Sequence, residues 1–140
     1  MQSSPSPPEY FVDRSLGRHD VPIGLQRQGL VVLTMASVYG AREQLVADED
    51  WLQDATARAW IVLTKDKRLR FIVRRLRALH QPTLRVFILM SGNLTAEEQV
   101  GRFINNLERI EAAARERGPF VYGVYTRHIH RLWPASRSRR

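Results

Sequence analysis

Three sets of carboxylates stand where apolar runs meet polar chain, and cations surround them. Asp13 closes the run "YFVD" (10–13), Asp66 follows "WIVLT" (60–64) inside "TKDK", and Asp48, Glu49 and Asp50 open "DEDWLQDATARAW". Carboxylates brought close together repel unless a cation neutralises them or some stay protonated. An oxygen-only set suits Mg²⁺ or Mn²⁺, which bind through a few carboxylates and keep several waters. Such an ion polarises a phosphodiester, activates water and steadies the leaving oxygen. Arg14, Lys65, Lys67 and Arg68 adjoin these acids and are the residue types that hold a phosphate chain. Each acid also has an ordinary role open to it: Asp48 or Asp50 as a helix N-cap, Asp66 closing a turn through its own backbone, Asp13 in an ion pair with an arginine.

These positions converge only if the elements bearing them form one rim. "YFVD", "LVVLTM" (30–35), "WIVLT" and "LRVFILM" (84–90) are nearly all apolar, as strands buried on both faces are. Helical spacing lies between them. Ile23, Leu25 and Gln26 lead to Gly29; Trp51, Leu52, Ala55 and Ala59 share a face; Leu69, Ile72, Val73, Leu76 and Leu79 form another, with arginines opposite. A loop through Tyr39 and Gly40 joins the second strand to the acid-headed helix. From Thr95 to Gly118 the pattern predicts one long helix, opened by a capping box of Thr95 and Glu98. "FVYGVYT" (120–126) and "IHRLW" (129–133) read as late strands at an edge. Strands alternating with helices predict an α/β fold with a mainly parallel sheet flanked by helices, whose ligands collect at the carboxyl ends of the strands.

With 140 residues the chain fits one domain: a Ser/Pro-rich leader over 1–9, the folded unit over 10–134 and a basic tail over 135–140. Lys and Arg number 22 against 14 acids, a net charge of +8 that favours a polyanion, RNA or DNA first, as partner. There are no cysteines, which excludes disulfides and thiolate metal sites. No apolar run reaches the roughly 18 residues that span a bilayer, and "MQSSPSPPEY" lacks the regions of a signal peptide, so a cytoplasmic location is expected. His128 and His130 lie on one side of a strand without a third ligand nearby and read as edge-strand residues. His19 is a loop residue close in sequence to Asp13. Phe120, Tyr122, Tyr125 and Trp133 offer stacking surfaces or, on strand spacing, packing; Trp51 and Trp60 read as core.

Taken in order, "YFVDRSLG", "GLVVLTMASVYG" and "ADEDWLQDATARAWIVLTKDK" resemble the PIN-like nuclease superfamily, and within it the VapC-type toxins of bacterial toxin–antitoxin pairs. The resemblance covers about residues 10 to 95 and includes the "D-x-x-L" start and the "T-[RK]-D-K" turn. It implies a PIN-like three-layer sandwich, endoribonuclease cleavage that depends on Mg²⁺ or Mn²⁺, an RNA substrate and an antitoxin protein as partner, with a homodimer as a further expectation. It assigns the first-strand acid to Asp13, the helix acid to Asp48 with Glu49 and Asp50 as alternatives, and the turn acid to Asp66. Substrate contacts are expected at Arg14, Lys65, Lys67, Arg68 and Asn93. The chain departs from the family where a further acid usually follows the next strand, since "MSGNLT" brings only Ser91, Asn93 and Thr95. Two rivals follow: a non-catalytic RNA-binding or antitoxin-binding module, and a phosphoacceptor domain of receiver type.

Overall fold

Tyr10 and Val12 face one side of their strand and Phe11 faces the other, yet all three are buried, so the sheet holding them is covered on both faces. A computed structural model describes residues 6–135. The leader is seen only from Ser6 and the tail only to Ala135; the rest of both lies outside the described residues.

Strand β1 (Glu9–Val12) runs into a 3-10 turn at Arg14–Leu16 and helix α1 (Asp20–Arg27), which Gly29 ends at φ +95°, a conformation that suits a residue without Cβ. β2 (Val31–Thr34) leads into the short α2 (Met35–Tyr39), a 3-10 segment at Gly40–Leu45 and α3 (Asp48–Ala57). β3 (Ile61–Thr64), α4 (Leu69–Arg75) and β4 (Arg85–Leu89) follow, then α5 (Ala96–Asn105), α6 (Leu107–Ala114), β5 (Phe120–Val124) and β6 (Ile129–Trp133). The sheet order is β2-β1-β3-β4-β5-β6, with every pair parallel except β5 and β6. That is the expected α/β layer structure.

Two apolar layers hold it. One joins Tyr10, Val12, Leu63, Phe87 and Leu89 to Leu25 of α1, Phe103 of α5 and Ile110 of α6. The other joins Phe11, Val62, Val86 and Ile88 to Trp51 and Leu52 of α3 and to Leu69 and Val73 of α4. In this second layer Phe11 lies between Trp51 and Trp60, its ring centre 5.2 Å from each, so both tryptophans are core as expected. Burying side chains of this size contributes about 1.5–3 kcal/mol each, which makes the second layer a rigid base for the rim above it.

Several elements differ from their expected form. β2 is an edge strand, with Val31 at 39% exposure, because β1 lies at the switch in strand order and β2 has no neighbour beyond it. The loop through Tyr39 is helix α2, capped by Thr34, whose hydroxyl accepts from Ser37 N while Ser37 Oγ accepts from Thr34 N. The helix after Asp66 stops at Arg75. There the His80 ring meets the Val73 carbonyl at 2.9 Å, and a 3-10 turn at Arg77–Leu79 sends Leu79 into the core. The long helix after Thr95 keeps its capping box but breaks at Asn106, whose buried amide donates to the carbonyls of Arg102 and Tyr125, tying the helix to the end of β5. Among the described residues no helix is long and apolar enough to cross a membrane.

Candidate active site

Strand order reverses at β1, so the connections from β1 and β3 leave in opposite directions and open a crevice at their carboxyl ends. Asp13 is the first residue past β1, and Asp66 stands two residues past β3. The backbone N–H of Asp13 donates to the Leu63 carbonyl at 3.4 Å, joining the two strand ends.

Asp13 is 3% exposed and caps the 3-10 turn. Its Oδ1 accepts from Ser15 N (3.2 Å) and Ser15 Oγ (2.5 Å), and its Oδ2 accepts from Thr64 Oγ1 (2.9 Å). The two hydroxyl oxygens in turn accept from the chain that follows β3: Ser15 Oγ from Lys65 N and Thr64 Oγ1 from Asp66 N, both at 3.0 Å. With both hydroxyl protons committed to Asp13, the network fits its ionised form and sets its orientation from two strands at once. Burial is the largest influence on its pKa, which is pushed up to about 6; the Ser15 and Thr64 bonds oppose that rise and the charge of Asp66 adds to it.

Asp66 both closes a turn and carries charge at the rim. Its Oδ1 accepts from Arg68 N and Nε, each at 3.0 Å, and its Oδ2 from Arg68 Nη2 at 2.8 Å. The hydrogen bonds from the Arg68 side chain hold its pKa below the usual carboxylate range. The charge of Asp66 in turn favours the charged form of Arg68, with smaller effects from Asp48 and Asp13.

Asp48 is not the helix cap. Ala47 takes that place and makes no side-chain bond, while Asp48 Oδ1 accepts from Trp51 Nε1 (3.0 Å) and faces Arg14 Nη1 (3.3 Å). Arg14 Nη2 also donates to the carbonyls of Glu43 (2.9 Å) and Val46 (2.8 Å), so this one side chain ties the start of α3 to the end of β1. Glu49 is half-buried. Asp50 turns toward a different recess, with Tyr39, Arg42 and Asp54.

Lys65 and Lys67 are exposed beside the acids, and Asn93 is exposed in the loop after β4, at the same end of the sheet. Ser91 accepts from Arg102 Nη1 at 2.6 Å and Thr95 caps α5, so Asn93 alone of the three polar substitutes has its side chain uncommitted. His19 is exposed ahead of α1, in a shallow recess shared with Ser15 and Lys65. His128 stacks on Tyr125 near β6, on the far side of the sheet. Among the described residues no group of three or more His, Asp or Glu side chains is assembled to hold a metal ion; Asp48 is paired with Arg14 and Asp66 with Arg68.

Three residues of this rim escaped the sequence reading. Ser15 carried a signal in "D-R-S", since a hydroxyl two residues past a capping acid is within reach of it. Thr64 was visible as the one polar residue closing an otherwise apolar strand. Glu43 had none. It is 6% exposed, paired with Arg18, and its Oε2 has no hydrogen-bond partner among the described residues. With Asp13, Gly17 and Thr34 it lines a cleft of about 100 Å³. The larger groove, about 680 Å³ between α1 and α5, contains none of the strand-end acids.

The family model described as PIN like domain matches residues 8–91. A protein of Mycobacterium tuberculosis (strain ATCC 25618 / H37Rv) named "Putative ribonuclease VapC45" is 35% identical over 123 residues, covering 87% of this chain and 89% of that protein. No solved structure matches the chain.

Proposed function

The chain belongs to the PIN-like domain family, in its VapC-type branch, and on that footing we propose that it is a ribonuclease, the toxin half of a toxin–antitoxin pair. The observation that supports the chemistry is the bonded rim at the ends of β1 and β3, where Ser15 and Thr64 join Asp13 to the chain bearing Asp66 and Arg14 reaches Asp48. The cleavage is endonucleolytic and depends on Mg²⁺ or Mn²⁺. Hard oxygen donors, the mutual repulsion of Asp13 and Asp66, and a balancing cation that is 78% exposed all suit a divalent ion. Solvent screens the exposed Arg68 side of this pair, so Arg68 yields Asp66 at little cost.

In this reading Asp13, Asp48 and Asp66 would hold the ion, with Glu49 and Asp50 as weaker alternatives because neither is drawn toward β1 by Arg14. When bound, the ion supplies an activated water and neutralises charge on the phosphodiester. Ser15 and Thr64 keep the Asp13 carboxylate ionised and aimed. Arg14 orients Asp48. Arg68 would join Lys65, Lys67 and Asn93 in contacting the RNA backbone. The antitoxin protein, a homodimer that gives the small rim more enclosure, and action in the cytoplasm belong to the same proposal.

The test is cleavage of an unpaired RNA oligonucleotide by the purified chain. Activity is expected with Mn²⁺ or Mg²⁺, none in EDTA, and recovery when Mn²⁺ is added back. Cleavage indifferent to EDTA would overturn the metal-dependent reading. Binding without cleavage would favour the non-catalytic module, which the missing further acid after β4 also supports. Ser15→Ala removes a donor to Asp13 and the acceptor of Lys65 N; kcat/KM is expected to fall about 10- to 100-fold, as when a residue that orients a metal ligand is lost. Ser15→Thr, which restores the hydroxyl, is expected to recover most of it. Equal activity of the alanine variant would remove Ser15 from the site.

A further inference from the structure

Helix α4 leaves an aromatic ring in solvent. Phe71 is 56% exposed, although Leu69 and Val73 on either side of it are fully buried. On helical spacing its outer neighbours are Arg68, Arg74 and Arg75, all exposed, and the Arg70 guanidinium carbon lies 5.4 Å from the ring centre. From Lys67 to Leu79 there is no acid. An exposed ring on a wholly cationic face has the chemistry of a nucleic-acid surface: the ring takes the flat face of a base, and the guanidinia take phosphates. The same helix begins at the residue that pairs with Asp66, and Phe71 N donates to the Arg68 carbonyl at 3.0 Å. A nucleotide held at Phe71 therefore lies within one helical turn of Arg68, the partner of Asp66. Paired bases hide their faces in the stack, so the surface selects unpaired nucleotides.

We propose that Phe71 is a stacking platform for an unpaired base of the RNA, with Arg70, Arg74 and Arg75 holding the adjoining phosphates. This rests on the ribonuclease reading and adds to it the side chain that meets a base of the substrate. The experiment is binding of a labelled unpaired RNA oligonucleotide, followed by fluorescence anisotropy at low salt in EDTA, where cleavage is not expected to interfere. Phe71→Ala is expected to weaken binding about 5- to 100-fold, the range for losing one base–aromatic stack. Phe71→Trp is expected to bind as well as the parent or better. Phe71→Leu, apolar but without a flat face, is expected to behave like the alanine variant, and all four proteins are expected to bind the same sequence equally weakly once it is annealed into a duplex. Unchanged binding by Phe71→Ala, or full binding by Phe71→Leu, would overturn the proposal and mark the ring as a contact for a protein partner. Divalent-dependent cleavage by the parent, measured alongside, separates the two failures. A parent that cuts RNA while Phe71→Ala binds normally sinks this inference alone, and a parent that neither binds nor cuts RNA sinks the ribonuclease reading with it.

Discussion

Asp13→Asn is expected to slow RNA cleavage sharply and, in EDTA, to make the protein harder to unfold. The two effects have one cause. Asp13 is 3% exposed, and its burial pushes its pKa from 3.8 up to about 6. A carboxyl whose folded pKa exceeds its unfolded value binds its proton more tightly when folded. Its favourable contribution is therefore complete below about pH 4 and is lost as the pH rises through about 6, leaving a penalty of about 3 kcal/mol at neutral pH. The amide removes the charge, but it donates toward the Thr64 hydroxyl and leaves that hydroxyl short of an acceptor. The net gain at pH 7.5 is then expected to be about 1–2 kcal/mol, a melting temperature several degrees higher. Urea unfolding of both proteins in EDTA between pH 4 and pH 8 is the check: the parent loses stability relative to the variant across that span. Cleavage is expected to fall about 100- to 1,000-fold, the scale for losing a group that organises charge in a reaction centre. A variant that cuts RNA normally would remove Asp13 from the centre of the site, and a stability difference that does not change with pH would refute the raised pKa.

Asp66→Asn is expected to lose cleavage on the same scale while leaving stability within about 1 kcal/mol of the parent. The partner Arg68 is 78% exposed, so breaking the ion pair costs little, and the asparagine oxygen still accepts from Arg68 N to close the turn. Arg68 already holds the Asp66 pKa low, so removing this carboxylate adds no pH dependence to stability near neutrality. The freed guanidinium and the lost repulsion are expected to tighten RNA binding in EDTA. The pair of variants thus separates two acids of one site: equal loss of cleavage, with a gain in stability for the buried acid alone. Normal cleavage by a folded Asp66→Asn protein would place the chemistry elsewhere.

The strands were legible in the sequence because burial on both faces demands unbroken apolar runs, which "YFV", "IVL" and "VFIL" supply. The capping box at Thr95 and the core roles of Trp51 and Trp60 were legible for the same local reasons. The position of β2 at the edge was not, since an edge strand and a central one carry similar short apolar runs. The break at Asn106 was hidden too: its amide bonds to carbonyls at the end of β5, some twenty residues away. Periodicity cannot register a partner at that distance.

The site divides along the same line. The kinds of residue it needs, acids at strand ends with cations beside them, were set by the sequence and could be read from it, because residue type and local spacing are one-dimensional properties. Which acid of Asp48, Glu49 and Asp50 turns toward β1, how Ser15 and Thr64 lock Asp13, and that Glu43 is buried near it were decided only by the tertiary structure. Strand order and helix rotation bring together side chains separated by 34 to 51 residues, and only that packing determines which oxygen meets which donor.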